Sequence, residues 1–170
     1  MKQIRLKQLC LICCLLISMS TFAVTIDSLE YYFSDKEAEV TGYVGSPTSI
    51  VIPESVIYKG TTYPVTSIGS YAFNGCSGLT SITIPNSVTY IGNNTFDGTA
   101  WYDNQADGLV YAGKIAYKYK GTMPNNTKII LEDGTLGIGN YAFSGCSGLT
   151  SITIGNGVTS IGYSAFGGCI

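Results

Sequence analysis

Few side chains in this sequence could do chemistry, and none of them is a histidine. Without imidazole, serine–histidine and cysteine–histidine nucleophile pairs are excluded. Beyond residue 23 no Cys-x-x-Cys pair occurs either, so the usual zinc ligand sets are missing there. Two carboxylates a fixed distance apart could hydrolyse a glycoside. Asp103, Asp107, Glu132 and Asp133 are candidates for that role by composition alone. Asp103 to Gly108 (DNQADG) resembles the start of a calcium loop. Gln105 fails the third position, and Lys114 stands where the bidentate glutamate belongs. The segment therefore reads as a polar turn leading into Leu109. No phosphate-binding glycine motif occurs, so no catalytic residue, metal ligand or cofactor is assigned.

The cysteines divide into two groups. Cys10, Cys13 and Cys14 lie in the apolar N-terminal run; Cys76, Cys146 and Cys169 lie far downstream. The downstream three keep a common phase, and Thr99 fills the slot 23 residues after Cys76. Sulfur chemistry is therefore not required at that slot, and cysteine packs well as a small buried residue. Free buried thiols are expected.

Aromatic residues are the remaining candidates. Trp101, Tyr102, Tyr111, Tyr117 and Tyr119 crowd one short stretch. Exposed rings of this kind anchor partners and stack on sugars. The same rings could instead replace missing aliphatic core. Both readings stand on the sequence alone.

What positions these residues is a repeat. Val65 to Ile84 (VTSIGSYAFNGCSGLTSITI) returns nearly verbatim as Thr135 to Ile154 (TLGIGNYAFSGCSGLTSITI). The Ile-Gly pair falls at 68, 91, 138 and 161, giving steps of 23, 47 and 23. A fixed period of this size marks a solenoid, whose units bury apolar faces against their neighbours. Ile82-Thr83-Ile84 alternates as a strand, Pro85 ends it, and Val88 to Ile91 is a second extended piece. Tyr71-Ala72-Phe73 is expected to form a helical or 3₁₀ turn. The inward set is Val65, Ile68, Ala72, Phe73, Cys76, Leu79, Ile82 and Ile84, with the copies Ile138, Ala142, Phe143, Cys146, Leu149, Ile152 and Ile154. Phe73, Phe96, Phe143 and Phe166 are expected to stack as one aromatic spine. Gly69 and Gly139 are expected where coils approach closely.

The departures from the period delimit the chain. Met1 to Ala23 reads as a secretory signal peptide, with Lys2, Arg5 and Lys7 before the apolar run Leu9 to Met19 and small residues before a cut after Ala23. That run is shorter than the about 20 residues a membrane span needs, so no membrane insertion of the mature chain is expected. Residues 24–47 read as an N-terminal β cap, with strands Leu29 to Phe33 and Glu37 to Tyr43. The solenoid occupies 48–170. Ser49-Ile50-Val51-Ile52-Pro53 matches Ser81-Ile82-Thr83-Ile84-Pro85, and a nine-residue insertion turns at Lys59-Gly60. The 47-residue step hides a coil-sized insert at about 100–123, read as a hairpin of Leu109 to Ala112 and Lys114 to Tyr119. Cys169-Ile170 stops before the next strand, which suggests a chain truncated at its C-terminus.

The pattern IGxxAFxGCxGLTSITIP resembles the leucine-rich repeats of the BspA-like family of bacterial surface proteins. It covers 65–99 and 135–170 closely and 49–64 more loosely. The expected fold is a β-rich leucine-rich-repeat solenoid, a horseshoe with a parallel concave sheet of short strands and helical or 3₁₀ turns on the convex side. One departure stands out: Ser87 and Gly157 occupy the place of the usual asparagine ladder.

Beyond residue 23 the chain carries six lysines, no arginine and eleven carboxylates, a formal net charge of −5. That balance argues against a nucleic-acid partner and against an anionic membrane surface. The resemblance implies a secreted or cell-surface protein that adheres to host matrix proteins or other cells without catalysis. The outward row Ser81, Thr83, Ser151 and Thr153, with Val51, Lys128 and Ile130, is the candidate contact, joined by Trp101, Tyr102 and Tyr111. A glycan-binding module using the 101–119 aromatics and a structural spacer of a larger surface protein are the alternatives.

Overall fold

The computed structural model describes residues 23–169. The proposed signal peptide, up to its last residue, lies outside them, as does Ile170. The chain starts with an antiparallel meander of β1 (Val24–Ile26), β2 (Leu29–Phe33) and β3 (Ala38–Tyr43). Tyr31, Ala38 and Val40 point inward and are buried. β3 then runs parallel to β6 (Thr61–Ile68), with Val40 opposite Ile68. The nine-residue insertion is a hairpin of β5 (Ser55–Tyr58) and β6. Its turn at Lys59-Gly60 has positive φ at both residues, 50° and 80°, as a tight hairpin requires.

Each coil contributes short parallel strands to two strips. In the first strip, β4 (Ser49–Val51) pairs with β7 (Ser81–Thr83), Ile50 opposite Ile82. Further along, β11 (Thr127–Ile130) pairs with β13 (Leu149–Thr153), Ile129 opposite Ile152. In the second strip, β6 pairs with β8 (Tyr90–Ile91). Beyond it, β12 (Gly137–Ile138) lies between β10 (Ile115–Lys120) and β14 (Ser160–Ile161). β10 also pairs antiparallel with β9 (Gly108–Ala112). The expected single parallel sheet is thus divided, and both strips lose their ladder at the coil that holds residues 100–123.

The helical detail also differs from expectation. Residues 70–75 form overlapping turns, and α1 (Ala100–Asp103) is the one helix among the described residues. The hydrogen bonds explain why. Ala72, Asn74 and Cys76 donate three residues back, to Gly69, Tyr71 and Phe73. Tyr71, Phe73 and Gly75 donate instead to Asn93, Thr95 and Asp97 of the next coil. With every second N–H turned to a neighbour, no helical ladder can propagate. Residues 141–146 repeat the alternation, with Tyr163, Ala165 and Gly167 as acceptors.

The core has two clusters. One runs from Leu29 to Tyr117, the other from Ala116 to Cys169. Phe73 and Phe96 stack at 5.8 Å, and Phe143 and Phe166 at 5.4 Å. The single spine is interrupted between Phe96 and Phe143: Tyr117 meets Phe96 edge-on at 5.3 Å. Ile154, expected inside, is 38% exposed. Cys76 and Cys146 are buried free thiols, and Cys169 is half-buried and free. Burial pushes the Cys146 thiol pKa up, with Cys169 adding to the effect. A Cβ on Gly139 would sit 2.6 Å from the Tyr117 carbonyl, so glycine is needed there for coil contact. At Gly69 the nearest backbone atom is looser, 3.4 Å away.

Candidate functional site: the outward strip and the irregular coil

Alternation along β4, β7, β11 and β13 turns their small polar residues outward. Ser81, Thr83, Lys128, Ser151 and Thr153 are all exposed. Val51 and Ile130 lie in the same rows and are 68% and 77% exposed. Thr83 stands opposite Val51, while Lys128 and Ile130 stand opposite Ser151 and Thr153. Threonine hydroxyls tie the strand ends: Thr80 donates to Thr48 O and Thr150 to Thr127 O, each at 3.0 Å. The strip forms two patches rather than one. Ser81 and Thr83 belong to one ladder, Lys128, Ser151 and Thr153 to the other, and α1 with its loop lies between in sequence.

Thr99 stands at that interruption. Its hydroxyl donates to Phe96 O at 2.7 Å and accepts from the Tyr102 N–H at 3.1 Å, which caps α1. Cysteine in the other coils has no such acceptor strength. The helix replaces a strip strand, and the Trp101 N–H bonds to Leu79 O at 2.7 Å.

Of the aromatic candidates, Trp101, Tyr102, Tyr111 and Tyr119 are half-buried and Tyr117 is buried. Trp101 packs edge-on against Phe96 at 4.9 Å. Tyr102 packs edge-on against Tyr117 at 5.9 Å, with the Lys118 and Lys120 ammoniums each 5.8 Å from its ring. Burial, helped by the Asp97 and Asp103 charges, pushes the Tyr102 pKa up to about 12. The Tyr111 hydroxyl accepts the Glu132 N–H at 2.9 Å. These rings fill and brace the coil.

The loop that resembles a calcium site holds a different cation. Lys120 Nζ lies 2.6 Å from the carbonyls of both Asp103 and Gln105 and 3.4 Å from that of Tyr102. A protein ammonium thus satisfies the carbonyls that close the helix. Among the described residues, no three Asp, Glu, Cys or His side chains converge as metal ligands. No helix among them is long and apolar enough to cross a membrane.

Side-chain bonds replace backbone bonds around the irregular coil. The Phe96 N–H donates to the Tyr117 hydroxyl at 3.2 Å, where Phe73 and Phe143 donate to backbone carbonyls. Lys118 pairs with Asp97 at 3.3 Å. A relay escaped the sequence reading: Ser70 Oγ accepts the Asn93 N–H at 3.0 Å, and Asn140 Oδ1 accepts the Tyr163 N–H at 2.6 Å. These residues sit two places after the isoleucine of each Ile-Gly pair, a phase that could have exposed them. Asn93 Oδ1, in the same phase, is buried with no hydrogen-bond partner among the described residues.

A sequence model described as the BspA type leucine rich repeat region matches six copies, over residues 46–104 and 114–170. A leucine rich cell surface protein from Faecalibacterium prausnitzii A2-165 is similar in structure. It has a TM-score of 0.51 and 30% identity, covering 88% of this chain and 35% of that one. The chain thus spans about a third of that protein's length. A leucine-rich repeat protein from Bacteroides capillosus ATCC 29799 has a TM-score of 0.50 and 27% identity, covering 82% and 86% of the two chains. No curated protein matches the sequence.

Proposed function

This chain belongs to the BspA-type leucine-rich repeat family, and from that premise we propose that it is an exported, non-catalytic recognition protein. Its structural neighbours include a cell surface protein, and leucine-rich repeats suit protein binding because they present a wide rigid surface. Met1 to Ala23 is the proposed leader that exports it, and residues 24–47 are the proposed cap of the first coil. The ligand is a protein of the host matrix or of another cell, bound along the outward strip.

One observation carries this reading: two rows of exposed Ser and Thr flank exposed Val51 and Ile130 on paired, rigid strands. Such a surface loses little entropy when it binds. The contacts proposed are Ser81, Thr83, Lys128, Ser151 and Thr153. Trp101, Tyr102 and Tyr111 brace the coil between the patches and act on binding only indirectly. The test is binding of the full chain to immobilised matrix proteins and to whole cells. A Thr83→Arg, Thr153→Arg double variant is expected to weaken binding at least about tenfold, with its unfolding curve unchanged. Unaltered binding by the folded variant refutes the strip as the contact.

A further inference from the structure

Tyr90 reaches across the irregular coil to the far half of the solenoid. Its hydroxyl accepts from Asn140 Nδ2 at 3.0 Å, fifty residues away in sequence. Asn140 passes the connection on through Oδ1 to the Tyr163 N–H. Tyr163 is 71% exposed and Tyr90 43% exposed. Tyr141 packs edge-on against Tyr163 at 5.6 Å while holding a left-handed φ of 56°. A bulky residue is costly in that conformation, and here its ring buttresses an exposed ring.

Tyr90 and Tyr163 line one groove, of about 190 Å³, together with Ile115, Gly139 and Asn140. Thr89 and Ser160 add hydroxyls, and no charged side chain lines it. β12 is paired on both sides, by β10 and β14, while β14 itself ends that sheet. The absence of lysine and arginine from the lining gives an anion nothing to pair with.

We infer that this groove is a binding site for a neutral saccharide, with a pyranose ring received between Tyr90 and Tyr163. The apolar C–H face of a sugar stacks on an aromatic ring, and its hydroxyls exchange hydrogen bonds with the Asn140 amide and the Thr89 and Ser160 hydroxyls. Both rings are held before binding, Tyr90 by Asn140 and Tyr163 by Tyr141, so little ordering cost remains. The site uses the second strip, so its failure leaves the protein-binding proposal on the first strip untouched.

The test titrates the full chain with neutral hexaoses of glucose, galactose and mannose, and with one sulfated and one sialylated oligosaccharide, followed by saturation-transfer and ¹⁵N–¹H NMR. At least one neutral hexaose is expected to bind saturably, moving the amides of Tyr90, Asn140 and Tyr163. Tyr163→Ala, at an exposed position, is expected to weaken that binding about tenfold or more, while Tyr90→Phe, which keeps the ring, loses about threefold at most. Three results would each overturn the proposal. One is no saturable binding to any of the three neutral sugars. Another is unchanged affinity in folded Tyr163→Ala. The third is preference for sulfated or sialylated sugars over neutral ones.

Discussion

Residues 65–84 and 135–154 are almost one sequence placed in two settings. In both copies the alanine, phenylalanine and cysteine of AFxGC are buried. The flanks then diverge. Leu79 is fully buried, whereas Leu149 is half-buried. Ile84 is half-buried against the turn at Gly113, where an added Cβ would lie 2.9 Å from Ile84 Cγ2. Ile154 is 38% exposed. The ring of Phe73 is stacked by Tyr43 and by Phe96, each at 5.8 Å, whereas Phe143 is stacked by Phe166 alone among the described rings. A repeat therefore encodes the path of its coil, but its neighbours decide how much of that coil is buried.

The largest test of this difference is truncation of the two spine phenylalanines. Phe73→Ala and Phe143→Ala each remove a fully buried ring and are expected to cost about 3–5 kcal/mol. Phe73→Ala should cost more, since it takes a stacking partner from the rings on both sides, Tyr43 and Phe96. Denaturant unfolding of both variants measures the gap. Equal losses would mean that the coil alone, not its neighbours, sets the energetics.

Tyr117→Phe probes the join between the two core clusters. The ring stays, but the Phe96 N–H loses its acceptor. A buried donor left unpaired costs about 1–3 kcal/mol. Burial also pushes the Tyr117 pKa well above the usual tyrosine value, the charges of nearby groups adding to it. The sign follows from linkage: a raised folded pKa stabilises the fold below the unfolded value of about 10, and that stability is lost as pH rises further. Stability of the parent chain should therefore fall above about pH 10, and Tyr117→Phe should soften that fall without abolishing it. The residual slope comes from Tyr31 and Tyr102, both pushed up to about 12 by burial first, and from Tyr43 and Cys146, which are also raised. An alkaline titration of unfolding free energy, identical in the two proteins, would remove Tyr117 from the join.

The regular coils were legible in the sequence because their apolar alternation is repeated in phase. Ile50, Ile82, Ile129 and Ile152 take the ladder positions that their spacing implies. β1 was not legible, since Val24-Thr25-Ile26 is too short to show a pattern. The divided sheet was not legible either. Side-chain bonds from Tyr117, Lys118 and Lys120 accompany the break, and no periodicity records such bonds. The Tyr90–Asn140–Tyr163 groove was missed because Tyr90 comes from a coil fifty residues before Asn140.

The smallest effect concerns the one slot where the repeat changes residue. Cys76 and Cys146 are followed by coils without a helix, Thr99 by α1. If the slot residue itself selects helix over strand, Thr99→Cys removes the cap and is expected to cost about 0.5–2 kcal/mol. The reverse change, Cys146→Thr, should not create a helix, because the Leu149–Thr153 strand keeps its partner in β11. Amide hydrogen exchange at Tyr102 and Asp103 separates the two explanations. Exchange that quickens in Thr99→Cys assigns the helix to its cap. Exchange that stays slow assigns it to the Trp101 and Lys120 contacts, and the irregular coil would then owe its shape to packing rather than to one hydroxyl.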